Sequence, residues 1–169
     1  WRILVSSILV VAPHPDDETL GCAGTLLRHI TEGDQVHWLI MSTITTDAGF
    51  SKKMVESRDK EIKQVADAYQ FTSIKQAEFI TTRLDTYPKS ELIEVVSKTV
   101  NRIQPEIIYL PYRNDVHSDH AEVFDAVSSC TKSFRYPCIK RVRAYETLSE
   151  TEFSIHPEDG GFRPSLWIN

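Results

Sequence analysis

Two stretches of the chain hold side chains able to bind a cation and move protons. The first is Ala12-Pro13-His14-Pro15-Asp16-Asp17-Glu18, and the second runs from Pro111 through Arg113, Asp115, His117, Asp119 and His120. Together they carry three of the six histidines, plus a concentration of carboxylates. Imidazole and carboxylate suit divalent zinc, and a catalytic zinc site uses three such ligands and leaves a position for water. Pro13 and Pro15 favour an extended, stiff backbone at His14. His117 and His120 are spaced to project to one side of a helix start, and nearby carboxylates can fix imidazole tautomers from behind. Each stretch also has a plain explanation. Asp16, Asp17 and Glu18 are what helix capping and the helix dipole favour, and His117-Ser118-Asp119-His120 on its own reads as a solvated first turn.

The elements that must position these residues follow from periodicity. Residues 3–12, 36–42, 74–80, 107–112 and 142–148 read as strands, the first and fourth nearly continuous in apolar residues, as parallel strands covered on both faces are. Residues 17–32, 51–69, 88–104 and 118–131 read as helices, punctuated by Gly33, Pro88 and Pro105. The β-α-β-α-β-α-β-α-β order predicts an α/β fold, a Rossmann-like three-layer sandwich with a mostly parallel sheet. In such sheets ligands bind beyond the carboxyl ends of the strands, where strand order reverses. In the common dinucleotide-fold order the first and fourth strands are neighbours at that point. The two stretches should therefore meet in space, which caps alone do not explain, and a metal site is the expected result.

The pattern His14-Pro15-Asp16-Asp17-Glu18 after the first strand, Arg58-x-x-Glu61 on a later helix, and Asp115-x-His117-x-Asp119-His120 after a later strand resemble the PIG-L/LmbE family. The resemblance covers residues 3 to 148 and implies a zinc-dependent deacetylase acting on N-acetylglucosamine conjugates, with ferrous iron as the alternative metal. It implies that His14, Asp17 and His120 bind the metal and that Asp16 is the general base. His117 matches the residue that polarises the carbonyl and protonates the leaving amine, oriented by Asp119 or Asp115, although Asp16 could equally give that proton. Arg58, Asp85 and Asp115 fall with the substrate-holding positions. Phe162-Arg163-Pro164-Ser165 resembles the family's F-x-P-N element, with Ser165 in place of Asn. Family members often form oligomers, so a homo-oligomer is compatible with the resemblance. The alternatives are an amidase acting on a longer acyl chain, or a non-catalytic carbohydrate- or nucleotide-binding module with a vestigial metal site.

Composition narrows the partners. Nineteen basic against 24 acidic residues leave a net charge of −5 and no basic stripe, which argues against nucleic acid. No apolar run approaches a membrane span. Three cysteines without a CxxC predict a reducing, cytoplasmic setting rather than a disulfide framework. The length of 169 residues suits one α/β deacetylase-like domain over 1–169, expected to be incomplete at its C-terminal end. His29 and His37 read as structural histidines without acidic company. Gly21-Cys22-Ala23-Gly24 lacks the spacing of a nucleotide fingerprint, so its small residues are expected to bring a helix close to the sheet. Without the resemblance, Arg58 and Glu61 are simply an exposed intrahelical ion pair.

Overall fold

The computed structural model describes residues 5–153 and 161–167, so Ile3 and Leu4 of the expected first strand lie outside the described residues. The strands are β1 (Ser7–Ala12), β2 (Gln35–Thr43), β3 (Ser73–Ile80), β4 (Ile107–Pro111) and β5 (Arg141–Tyr145). They form one parallel sheet in the order β3-β2-β1-β4-β5. The helices are α1 (Asp17–Thr31), α2 (Lys52–Tyr69), α3 (Lys89–Ile103), α4 (Ser118–Ser129) and the one-turn α5 (Leu148–Thr151).

The continuous apolar run in β1 explains the layering. Ile8, Val10 and Ala12 pack with Trp38 of β2 against Leu26 of α1 and Ile62 of α2. Leu9 and Val11 face the other way, onto Leu92 and Val96 of α3 and Val123 of α4. Residues alternating in sequence thus serve opposite faces, and all five are fully buried. Ser51 caps α2 by accepting from the Met54 N–H, and Gln104 ends α3 in the left-handed region (φ 53°) just before Pro105.

Three local features differ from the periodicity. The run expected to be strand through residue 148 leaves the sheet at Tyr145. There the Thr147 carbonyl accepts from the Glu150 and Thr151 N–H groups and closes α5 instead. A 3-10 turn at Leu84–Thr86 had no periodic signal. Helical dihedrals in α1 break at Cys22 (φ −144°, ψ 26°). The break lies beside Gly21, where a Cβ would sit 2.3 Å from Tyr145 Cδ2 and 2.7 Å from the Glu146 carbonyl oxygen. Gly21 therefore lets α1 approach the end of β5, as its small-residue run predicts. Among the described residues no helix is long and apolar enough to cross a membrane.

β1 and β4 are hydrogen-bonded neighbours (Ile8 opposite Ile107, Val10 opposite Tyr109). The chain continues to β2 on one side and reaches β5 on the other. The loops leaving β1 and β4 consequently open onto the same crevice.

Candidate metal centre

The loop after β1 is fixed from β2, where the Ser42 hydroxyl donates to the Pro13 carbonyl at 2.7 Å. It delivers His14 and then, at the start of α1, Asp17, whose Oδ2 accepts the His14 N–H at 2.8 Å. The loop after β4 delivers His117 and, in the first turn of α4, His120. The three imidazoles cluster, with ring centroids 4.5 Å apart for His14–His117, 5.6 Å for His14–His120 and 5.4 Å for His117–His120.

Asp17 lies between two of these rings. Its Oδ2 is 3.3 Å from His14 Nδ1, and its Oδ1 is 3.3 Å from His120 Nε2. The far nitrogen of each ring is held by another carboxylate: His14 Nε2–H donates to Asp119 Oδ2 at 3.0 Å, and His120 Nδ1–H donates to Asp115 Oδ2 at 2.7 Å. With the protons on those outer nitrogens, the lone pairs of His14 Nδ1 and His120 Nε2 point inward, toward Asp17. His120 Nε2 is fully buried and has no hydrogen-bond partner. An orphaned buried acceptor is costly, and a divalent cation among His14, Asp17 and His120 would satisfy it. The residues fit a metal ion.

The electrostatics agree. Burial alone would depress His14 and His120, but the carboxylates facing each ring, Asp119 and Asp17 for the first and Asp115 and Asp17 for the second, favour its charged form and raise both to about 9. Burial opposes ionisation of Asp17, yet its two histidine partners hold it far below the ordinary carboxylate range. The pocket is built around positive charge at Asp17, which protons supply when no cation does.

A second grouping, His14 with His117 and Asp119, also lies within ligand reach of one ion. Its donors are already committed, because Asp119 accepts from His14, from the Thr82 N–H (2.7 Å) and from the Leu84 N–H (3.2 Å). A third grouping, His29 with Glu32 and Asp34, lies at the far end of α1. His29 has acidic company after all: Nδ1 bonds Asp34 at 2.6 Å and Nε2 bonds the Tyr109 hydroxyl at 3.0 Å. Nε2 thus ties α1 to β4 while Nδ1 holds the turn that leads into β2, so both ring nitrogens have partners that the sequence did not reveal.

His14 and Asp17 also line a cavity of about 250 Å³, together with Asp16, Arg58, His117 and Glu150. Asp16 sits at the N-cap position of α1 but makes no side-chain capping hydrogen bond, which removes the plain explanation for it. Partial burial, and then repulsion from Asp17, raise its carboxyl above the ordinary value. Asp17 and Glu18, the rest of the acidic run, are buried rather than solvated. His117 Nδ1 accepts the Asp119 backbone N–H at 3.1 Å, so the neutral ring carries its proton on Nε2. Burial and the neighbouring His14 charge lower its pKa. Asp119 thus orients His117 through its backbone, while its carboxylate holds His14.

Arg58 lines the cavity and lies 3.7 Å from Glu61, so the exposed ion pair and a place in the cavity lining coexist. Asp115 is buried beneath His120, with its second oxygen accepting the Thr151 hydroxyl at 2.6 Å. Asp85 is exposed on the 3-10 turn and does not line this cavity. Sequence reasoning missed Thr151, Glu150 and the backbone donors at Thr82 and Leu84. Main-chain N–H groups have no side-chain signature. Thr82 is held in the left-handed region (φ 60°), a conformation costing about 1–3 kcal/mol for such residues, while its N–H reaches Asp119.

Comparison with known proteins places this geometry. The profile of the family described as PIG-L, GlcNAc-PI de-N-acetylase, matches residues 9–131. A probable N-acetyl-alpha-D-glucosaminyl L-malate deacetylase 2 of Bacillus anthracis is 25% identical over 129 residues, or 72% of this chain. The chain spans only 57% of that relative's length. The conserved protein TT1542 of Thermus thermophilus superposes with a TM-score of 0.72 at 26% identity, over 96% of this chain and 70% of that one. The N,N'-diacetylchitobiose deacetylase of Pyrococcus horikoshii shares the fold, with a TM-score of 0.58 at 20% identity over 79% of this chain and 52% of its own.

Proposed function

Because the chain belongs to the PIG-L family of GlcNAc-PI de-N-acetylases, we propose that it hydrolyses the acetamide of an N-acetylglucosamine-type amino-sugar conjugate with zinc bound by His14, Asp17 and His120. The observation that carries this reading is the buried, unpartnered Nε2 of His120 facing the Asp17 carboxylate. Names of relatives support the substrate class: one is a probable N-acetylglucosaminyl malate deacetylase.

When bound, the metal supplies Lewis acidity and brings the pKa of a bound water toward about 7. The protein's own groups account for the rest. Asp16 faces the cavity, free of any cap, and its raised pKa suits a base that takes a proton from the attacking water. Having taken that proton, the same carboxyl can return it to the departing amine. His117 presents Nε2–H to the cavity, where it donates to the acyl oxygen as negative charge develops there. Its lowered pKa keeps this donor a neutral imidazole near pH 7. Arg58 in the cavity lining offers guanidinium donors to sugar hydroxyls. Asp115 and Asp119 hold the two metal-binding rings in the productive tautomer. The three cysteines are unpaired, which supports a cytoplasmic setting.

The test is an assay of the zinc-loaded protein with N-acetylglucosamine and its conjugates, following primary amine and acetate together. Equimolar release of both is the expected result. Bound zinc with no release from any acylated sugar would overturn deacetylation and leave the binding module.

A further inference from the structure

We propose that Thr151 is a positioning residue of the metal centre, acting through Asp115 on His120; the inference rests on the metal-binding reading of His120. Thr151 ends the four-residue turn α5, which follows β5 and is remote in sequence from both metal-binding loops. Its hydroxyl accepts the Thr147 N–H at 2.9 Å and donates to Asp115 Oδ1 at 2.6 Å. The other oxygen of Asp115 takes the His120 Nδ1 proton at 2.7 Å. All these groups are buried, with Asp115 at 6% exposure, Thr151 at 9%, and Thr147 and His120 at 0%. A second tie joins the same elements, since the Val116 N–H donates to the Glu150 carbonyl at 3.3 Å.

Direction of donation gives the chain of contacts its meaning. The backbone N–H of Thr147 uses a lone pair of the Thr151 oxygen, so the hydroxyl proton is free to go to Asp115. With one oxygen occupied by that proton, Asp115 stays fixed with its other oxygen on His120 Nδ1, and the ring keeps Nε2 as the acceptor turned toward Asp17. Without the hydroxyl, Asp115 Oδ1 becomes a buried, unpaired carboxylate oxygen. The carboxylate then has reason to rotate, and the tautomer of His120 loses its anchor. β5 therefore reaches His120 through the turn that follows it.

Thr151→Ser and Thr151→Ala both lose the methyl group and differ in the hydroxyl alone, so their comparison separates hydrogen bonding from packing. Two measurements apply. The first is the low-field ring N–H resonance of His120 in the metal-free protein, assigned by its loss in His120→Ala. The second is the zinc dissociation constant from competition with a chelator. Thr151→Ser is expected to keep the resonance and the affinity. Thr151→Ala is expected to lose the resonance to solvent exchange and to bind zinc about tenfold more weakly, the low end of the range for outer partners of metal ligands. An unchanged resonance and affinity in Thr151→Ala would overturn the proposal, as would equal losses in both variants, which would mark a packing role. Failure of the underlying reading is separately visible, as undiminished zinc binding by His120→Ala. In that case the proposal for the metal falls with it.

Discussion

Raising the pH of the zinc-free protein from 6.5 to 9 is expected to destabilise it while strengthening its hold on zinc. His14 and His120 each rise from 6.5 to about 9 in the folded state. A group whose pKa is raised on folding stabilises the protein fully below its unfolded value, and that contribution disappears as pH climbs through the folded value. One such imidazole accounts for about 3 kcal/mol at 1.36 kcal/mol per pKa unit. Both rings share Asp17, so the two contributions do not simply add. Glu18, raised by burial to about 7, acts in the same direction but lower in the range, between its ordinary value of 4.5 and about 7. The window from pH 6.5 to 9 therefore belongs mainly to the histidines. Urea unfolding of the chelator-stripped protein should show a midpoint falling across this window, and His14→Ala/His120→Ala should remove most of that slope. Zinc must displace the same protons, so calorimetry in buffers of different ionisation enthalpy should detect proton release on binding near pH 7, with affinity rising toward pH 9. A midpoint that is flat or rises between pH 6.5 and 9 without zinc, or binding that releases no protons, would refute the reasoning.

Other expectations follow from single side chains. Asp16→Ala should lower kcat by about 10²–10⁴-fold while zinc content, measured by atomic absorption, stays at the wild-type level. Arg58→Ala should raise KM by about tenfold or more with kcat little changed, because the contact proposed for its guanidinium is to sugar hydroxyls, away from the reacting bond. Gly21→Ala should cost about 1–3 kcal/mol in urea unfolding, since the new Cβ would overlap the Tyr145 ring and the Glu146 carbonyl.

Much of the fold was legible because β1 and β4 are buried on both faces and so read as unbroken apolar runs. Their adjacency, which joins the two loops, followed from chain order and the usual strand arrangement. The end of β5 was harder. Leu148 continues an apolar pattern, yet it is exposed and begins α5, because hydrogen bonds to Thr147 rather than periodicity decide the local backbone. At the site, the histidines and carboxylates of the two loops pointed to a metal site, and the family resemblance singled out His14, Asp17 and His120 within them. The supporting carboxylates were less readable. Asp119 precedes His120 in sequence but supports His14 from the other loop, whereas Asp115 lies one turn of chain before His120 and sits beneath it. Which carboxylate serves which ring depends on how two loops pack, and no spacing within either loop encodes that. Thr82, Leu84 and Thr151 contribute from elements whose place at the crevice appears only once the sheet is assembled.

The most direct test of the metal centre is a diffraction experiment on zinc-soaked crystals, with data collected on both sides of the zinc absorption edge. A strong anomalous peak bounded by His14 Nδ1, His120 Nε2 and the Asp17 carboxylate is the expected result. A peak at His29, Glu32 and Asp34 with none among the first three, or no peak at all under saturating zinc, would contradict it.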